Sequence, residues 1–112
     1  MKKTSGNRAF TQGKFDVALK FYNEAIEILP DNHIFYSNRS ATHYQLKDYA
    51  KALEDAQKCI DLDAKFAKGY LRKGQALLEL NKKEEALVAL REALDLAPKD
   101  EEINAIYKQA NK

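Results

Sequence analysis

Apolar residues recur along this chain at steps of three and four, with charge between them. Val17, Ala18, Phe21, Tyr22, Ala25, Ile28 and Leu29 keep that rhythm, which lays one apolar stripe along a helix. Pro30 ends it, because proline has no amide hydrogen and disfavours helical backbone in the residue before it. The rhythm returns in Ala52, Leu53, Ala56, Cys59, Ile60 and Leu62, and again in Ala86, Leu87, Leu90, Ala93, Leu94 and Leu96. Between the stripes, spacing predicts partner helices over about 2–13, 34–46 and 67–80. Gly13 suits a left-handed helix end, and Asn81 tolerates one. The tail, about 100–111, predicts a seventh helix with Ile103, Ile106, Tyr107 and Ala110 on one side.

The stripes belong to a repeat with a period of 34 residues. Ala18, Ala52 and Ala86 superpose, as do Ala25, Cys59 and Ala93. Gly6, Ser40 and Gly74 superpose, and so do Pro30, Ala64 and Pro98. Ile28, Leu62 and Leu96 match, while Tyr36 and Tyr70 match and Lys2 stands in their place in the first unit. Three units of two helices each are expected, over about 1–32, 33–66 and 67–100, with a capping helix at about 100–111 and the whole of 1–112 forming one domain. The small residues mark places where helices cross closely. A ring from Tyr36, Tyr70, Tyr22 or Phe21 is expected to fill the space each one leaves. Cys59 is expected to pack there as a small apolar residue. A last helix with a polar back closes the open end of such a stack.

Composition narrows the picture. With 112 residues the chain fits one domain. Only 4 Gly and 2 Pro argue against a turn-rich all-β fold. A single Cys excludes an internal disulfide and favours a reducing compartment, so a cytoplasmic location is expected. Nineteen basic and 17 acidic residues alternate to a net charge of +2, a solvated surface that points neither to nucleic acid nor to membrane. No apolar run reaches transmembrane length, and the opening MKKTSGNRAF lacks the apolar core of a signal peptide. His33 and His43 are ten apart, which is no metal-binding pair. His33 is expected in the turn between units and His43 between helices. No phosphate loop or nucleophile–base pair is present, so no cofactor, metal or enzymatic activity is expected.

The helix–turn–helix unit, small at its eighth, twentieth and twenty-seventh positions and Pro at its thirty-second in two units of three, resembles the tetratricopeptide repeat. The first unit departs by lacking the early aromatic and by carrying Ser5, and the second by carrying Ala64 for the proline. The resemblance implies an all-α, right-handed solenoid whose first helices line a concave groove. Residues expected on that face are Lys3, Asn7 and Phe10, then Asn38, Ala41 and Gln45, then Lys68, Arg72, Gln75 and Glu79.

Five of these resemble the dicarboxylate clamp of heat-shock-organising and small glutamine-rich co-chaperones: Lys3, Asn7, Asn38, Lys68 and Arg72, within the runs GNRAF, YSNRSA and KGYLRKG. The resemblance implies a ligand, the acidic carboxyl-terminal Glu-Glu-Val-Asp tail of the 70-kDa and 90-kDa heat-shock chaperones. A peptide ending in Asp offers two carboxylates. Lys supplies a compact charge, Arg a planar fork, and Asn neutral amide donors. Phe10, Ala41, Tyr44, Gln75 and Leu78 are candidates for a side-chain pocket, although Phe10, Tyr44 and Leu78 equally suit packing between helices. A monomeric adaptor is expected. The alternative is a general scaffold whose groove holds another peptide or helix.

Overall fold

A computed structural model describes residues 2–112, with side chains from residue 5 onward. Among the described residues there are seven helices and no strand: α1 (Lys2–Thr11), α2 (Phe15–Ile28), α3 (His33–Gln45), α4 (Tyr49–Leu62), α5 (Ala67–Glu79), α6 (Lys83–Leu96) and α7 (Glu101–Ala110). Each packs on the next, and α3 also touches both α1 and α5, so the first helices of the three pairs lie side by side. The result is an all-α stack measuring 38 × 25 × 23 Å. No helix among the described residues is long and apolar enough to cross a membrane.

The first helix of each pair ends the same way, one or two residues short of the predicted end. Gly13, Lys47 and Asn81 have φ of 76°, 64° and 63°. Their amides, and those of the next residues, bond back to the last helical turn: Gly13 to Phe10 and Lys14 to Ala9, Lys47 to Tyr44 and Asp48 to His43, Asn81 to Leu78 and Lys82 to Leu77. That left-handed cap satisfies the orphan carbonyls and turns the chain into the second helix. Lys47 gave no sequence signal for it. The second helices end without such a cap: Leu29, Asp63 and Ala97 leave them with φ of −129°, −149° and −141°, and a proline follows in two of the three units, at Pro30 and Pro98.

A second contact also recurs with the repeat. The Tyr36 hydroxyl donates to the Pro30 carbonyl at 2.8 Å, and Tyr70 does the same to Ala64 at 3.0 Å. In α7 the Asn104 amide takes that place and donates to Pro98 at 3.0 Å. The capping helix therefore docks as the first helix of a fourth unit would.

The small residues meet different neighbours. A Cβ on Gly6 would lie 2.7 Å from the Tyr22 ring, as the sequence implies. A Cβ on Gly74 would lie 2.6 Å from Cγ of Leu90, so an aliphatic side chain, not a ring, fills that crossing. Ser40 is buried and donates its hydroxyl to the Ala52 carbonyl at 2.7 Å. Cys59 is fully buried, and burial pushes its thiol up to about 12.

Two further expectations need correction. Val17, Ile28, Leu29 and Leu96 sit on the predicted stripes, yet they are exposed. The stripe is wider than the strip its neighbouring helices cover, which in α2 is Ala18, Tyr22 and Ala25. His33 is not in the turn but opens α3, with its ring edge-on to Phe66 at 4.8 Å. Asn32 takes the turn position and caps α3 by accepting from the Ile34 amide at 3.0 Å.

Candidate functional site

Asn7 on α1, Asn38 on α3 and Arg72 on α5 line one cavity of about 160 Å³, together with Phe10, Thr11, Tyr22 and Ala41. Asn38 and Arg72 are 34 residues apart and hold equivalent places on α3 and α5, while Asn7 stands three residues, about one turn, past the equivalent place on α1 and so on the same face; α3 lies beside both α1 and α5. None of the lining residues is acidic.

The two amides are linked. Asn38 Nδ2 donates to Asn7 Oδ1 at 3.3 Å. The Tyr22 hydroxyl donates to that same oxygen. Burial holds the Tyr22 phenol up at about 12, so it stays protonated and able to donate at any physiological pH. With both lone pairs of Asn7 Oδ1 engaged, its Nδ2 group is left to face a ligand. Thr11 anchors the end of α1 by donating its hydroxyl to the Asn7 carbonyl at 2.9 Å.

Arg72 is half-buried and orients its fork through a bond from Nη1 to Gln75 Oε1 at 3.1 Å. Its Nε is buried without a hydrogen-bond partner. Burial lowers its pKa, partly offset by the charge of Glu102, but an arginine remains charged through such a shift. A cation stripped of water and short of acceptors favours an anion beside it.

The remaining sequence candidates divide. Lys68 is exposed and sits one turn before Arg72 on α5, outside the cavity wall. Lys3 stands in the equivalent place before Asn7, but its side chain lies outside the described residues. Phe10 and Ala41 line the cavity, and Phe10 meets Phe15 edge-on at 5.2 Å. Tyr44 stacks edge-on to Tyr49 at 5.4 Å and donates to Glu79 Oε1 at 3.2 Å. Leu78 packs into the core between α5 and α6. Gln75 reaches the site through Arg72. Tyr22 and Thr11 were not among the sequence candidates. Its spacing places Tyr22 among the stripe's apolar rings and does not announce where the hydroxyl points. No group of three or more side chains suited to holding a metal occurs among the described residues.

The tetratricopeptide repeat family matches this chain at residues 33–66 and 67–100, and a further TPR repeat match covers 6–47. Over 94 residues the chain is 42% identical to the small glutamine-rich tetratricopeptide repeat-containing protein 2 of Saccharomyces cerevisiae, covering 84% of this chain and 27% of that protein. The chain spans about a third or less of the length of the curated relatives it matches. Among solved structures, the Arabidopsis OM64 TPR domain superposes with a TM-score of 0.92 at 34% identity, over 97% of this chain and 90% of that one. The first TPR of Spaghetti (RPAP3), bound to the HSP90 peptide SRMEEVD, superposes with a TM-score of 0.93 at 31% identity, over 98% of this chain and 89% of that one.

Proposed function

The chain belongs to the tetratricopeptide repeat family, and we propose that its groove is a dicarboxylate clamp for the acidic Glu-Glu-Val-Asp tails of 70-kDa and 90-kDa heat-shock chaperones. One observation carries the reading: Asn7, Asn38 and Arg72 converge on a single cavity with no acidic wall. The kinship with a domain bound to a peptide ending in EEVD supports the choice of ligand.

The terminal Asp brings a side-chain carboxylate and a main-chain carboxylate. Asn7 and Asn38 donate to one end through neutral amides. Arg72 offers a fork whose Nε lacks an acceptor, and Lys68, one turn before it, adds a mobile charge. Lys3 stands one turn before Asn7 and completes the set of five. Phe10 and Ala41 give the peptide's apolar side chain a wall. Asn7, Asn38 and Arg72 are already held by hydrogen bonds, so little ordering cost remains for them when the peptide docks. In this reading residues 1–112 work as one monomeric adaptor domain in the cytoplasm, binding rather than catalysing.

Calorimetry with a peptide ending in Glu-Glu-Val-Asp tests the proposal. The free acid is expected to bind with modest affinity that weakens as salt rises. The same peptide amidated at its carboxyl end is expected to lose most of that affinity. Equal binding of the two forms would sink the clamp and leave a general scaffold as the reading.

A further inference from the structure

We infer that Tyr22 is a positioning residue for the clamp: its hydroxyl holds the Asn7 amide so that nitrogen, and not oxygen, faces the incoming carboxylate. The inference rests on the clamp reading and goes beyond it, because Tyr22 lies on α2, a second helix, outside the set of first-helix residues assigned to the groove.

An asparagine amide has two faces of opposite character, and rotation about its last torsion exchanges them. Turned one way, Asn7 donates to a carboxylate. Turned the other way, it sets oxygen against oxygen. Asn38 contributes one restraint on Oδ1, a bond of 3.3 Å, too long to fix the rotation firmly. The Tyr22 hydroxyl supplies the second bond to the same atom. Tyr22 is itself immobile. Its ring is 2% exposed and fills the notch left by Gly6, where even a methyl group would come within 2.7 Å of it. Gly6 and Asn7 are neighbours on α1, so the glycine that admits the ring also sets the distance from hydroxyl to amide. The position of Tyr22 therefore serves the fold through its ring and the site through its oxygen.

Tyr22→Phe separates those two services, since it keeps the ring on Gly6 and removes only the hydroxyl. By calorimetry, affinity for the free-acid peptide ending in Glu-Glu-Val-Asp is expected to fall roughly tenfold, the loss of about one net hydrogen bond. In an Asn7→Ala background the same change is expected to cost nothing further, because the group it acts through is gone. Unchanged affinity in Tyr22→Phe, or an equal loss in both backgrounds, overturns the inference. If Tyr22→Phe does not fold, the native chain decides by nuclear magnetic resonance. The Asn7 side-chain NH2 signals are expected to shift when free-acid peptide is added and to stay in place with the amidated form. Signals that ignore the free acid while it binds overturn the inference. A native chain that binds both peptides equally overturns the clamp itself, an outcome visible before any Tyr22 variant is made.

Discussion

Arg39 on α3 grips Asp55 on α4 with two parallel bonds, Nε to Oδ2 at 2.8 Å and Nη2 to Oδ1 at 2.8 Å. The pair ties the two helices of the second unit together. Arg39 also reaches back to Asn23 of the first unit at 3.0 Å and lies 5.5 Å from the centre of the Tyr36 ring. The Asp55 side chain is 9% exposed, so little water can take this partner's place. Asp55→Ala is expected to cost about 3 kcal/mol, because the arginine is left half-buried and unpaired. Urea unfolding followed by circular dichroism measures it.

His43 packs beside the same carboxylate, with Nε2 3.6 Å from Asp55 Oδ2. Burial lowers its pKa, opposed by Asp55 and aided by Arg39, with smaller contributions from Asp48 and Lys51. A histidine depressed in the folded state binds its proton more readily when unfolded. Stability is therefore full above the ordinary value of about 6.5 and declines as pH falls through it toward the folded value. Urea midpoints at a series of pH values are expected to drop over that window, and His43→Gln is expected to flatten the drop.

Lys47 holds a left-handed conformation that glycine holds at the equivalent Gly13. A side chain pays for that conformation by roughly 1–2 kcal/mol, partly offset by the greater freedom glycine has when unfolded. Lys47→Gly is expected to raise stability by about 0.5–1 kcal/mol, read as a higher urea midpoint with the same slope. The side chain is exposed, so no packing is lost.

Gly74 admits no side chain. A Cβ there would lie 2.6 Å from Leu90 Cγ and 3.4 Å from the Ala86 carbonyl oxygen, and both Ala86 and Leu90 are fully buried. Gly74→Ala is expected to destabilise by about 2 kcal/mol despite the better helix propensity of alanine, since overpacking exceeds that gain. Thermal unfolding reports it directly.

Arg72→Ala is expected to weaken binding of the free-acid peptide by at least about tenfold, the worth of a charged hydrogen bond. Its helical circular dichroism should match the native chain, because the one bond it loses, to Gln75, is a local contact within α5. Lys68→Ala is expected to act in the same direction with a smaller loss and a flatter salt dependence, as suits an exposed charge.

Helix periodicity and the repeat are local properties of the chain, and they determined the seven helices and the small residues at the crossings; the shared face of Asn7, Asn38 and Arg72 was expected from the family resemblance that the repeat carries. Gly13 and Asn81 announced their left-handed turns because their chemistry favours that backbone; Lys47 did not, since the turn there follows from the fold around it and not from lysine. Which part of each apolar stripe is covered was decided only by packing, which left Val17, Ile28, Leu29 and Leu96 in solvent. Tertiary structure also decided the polar pairings. Arg39 meets Asp55 across 16 residues, and Tyr22 meets Asn7 across 15. Periodicity records the side of a helix on which a residue stands, but the direction of a hydroxyl or a guanidinium is set by atoms that reach it from another helix.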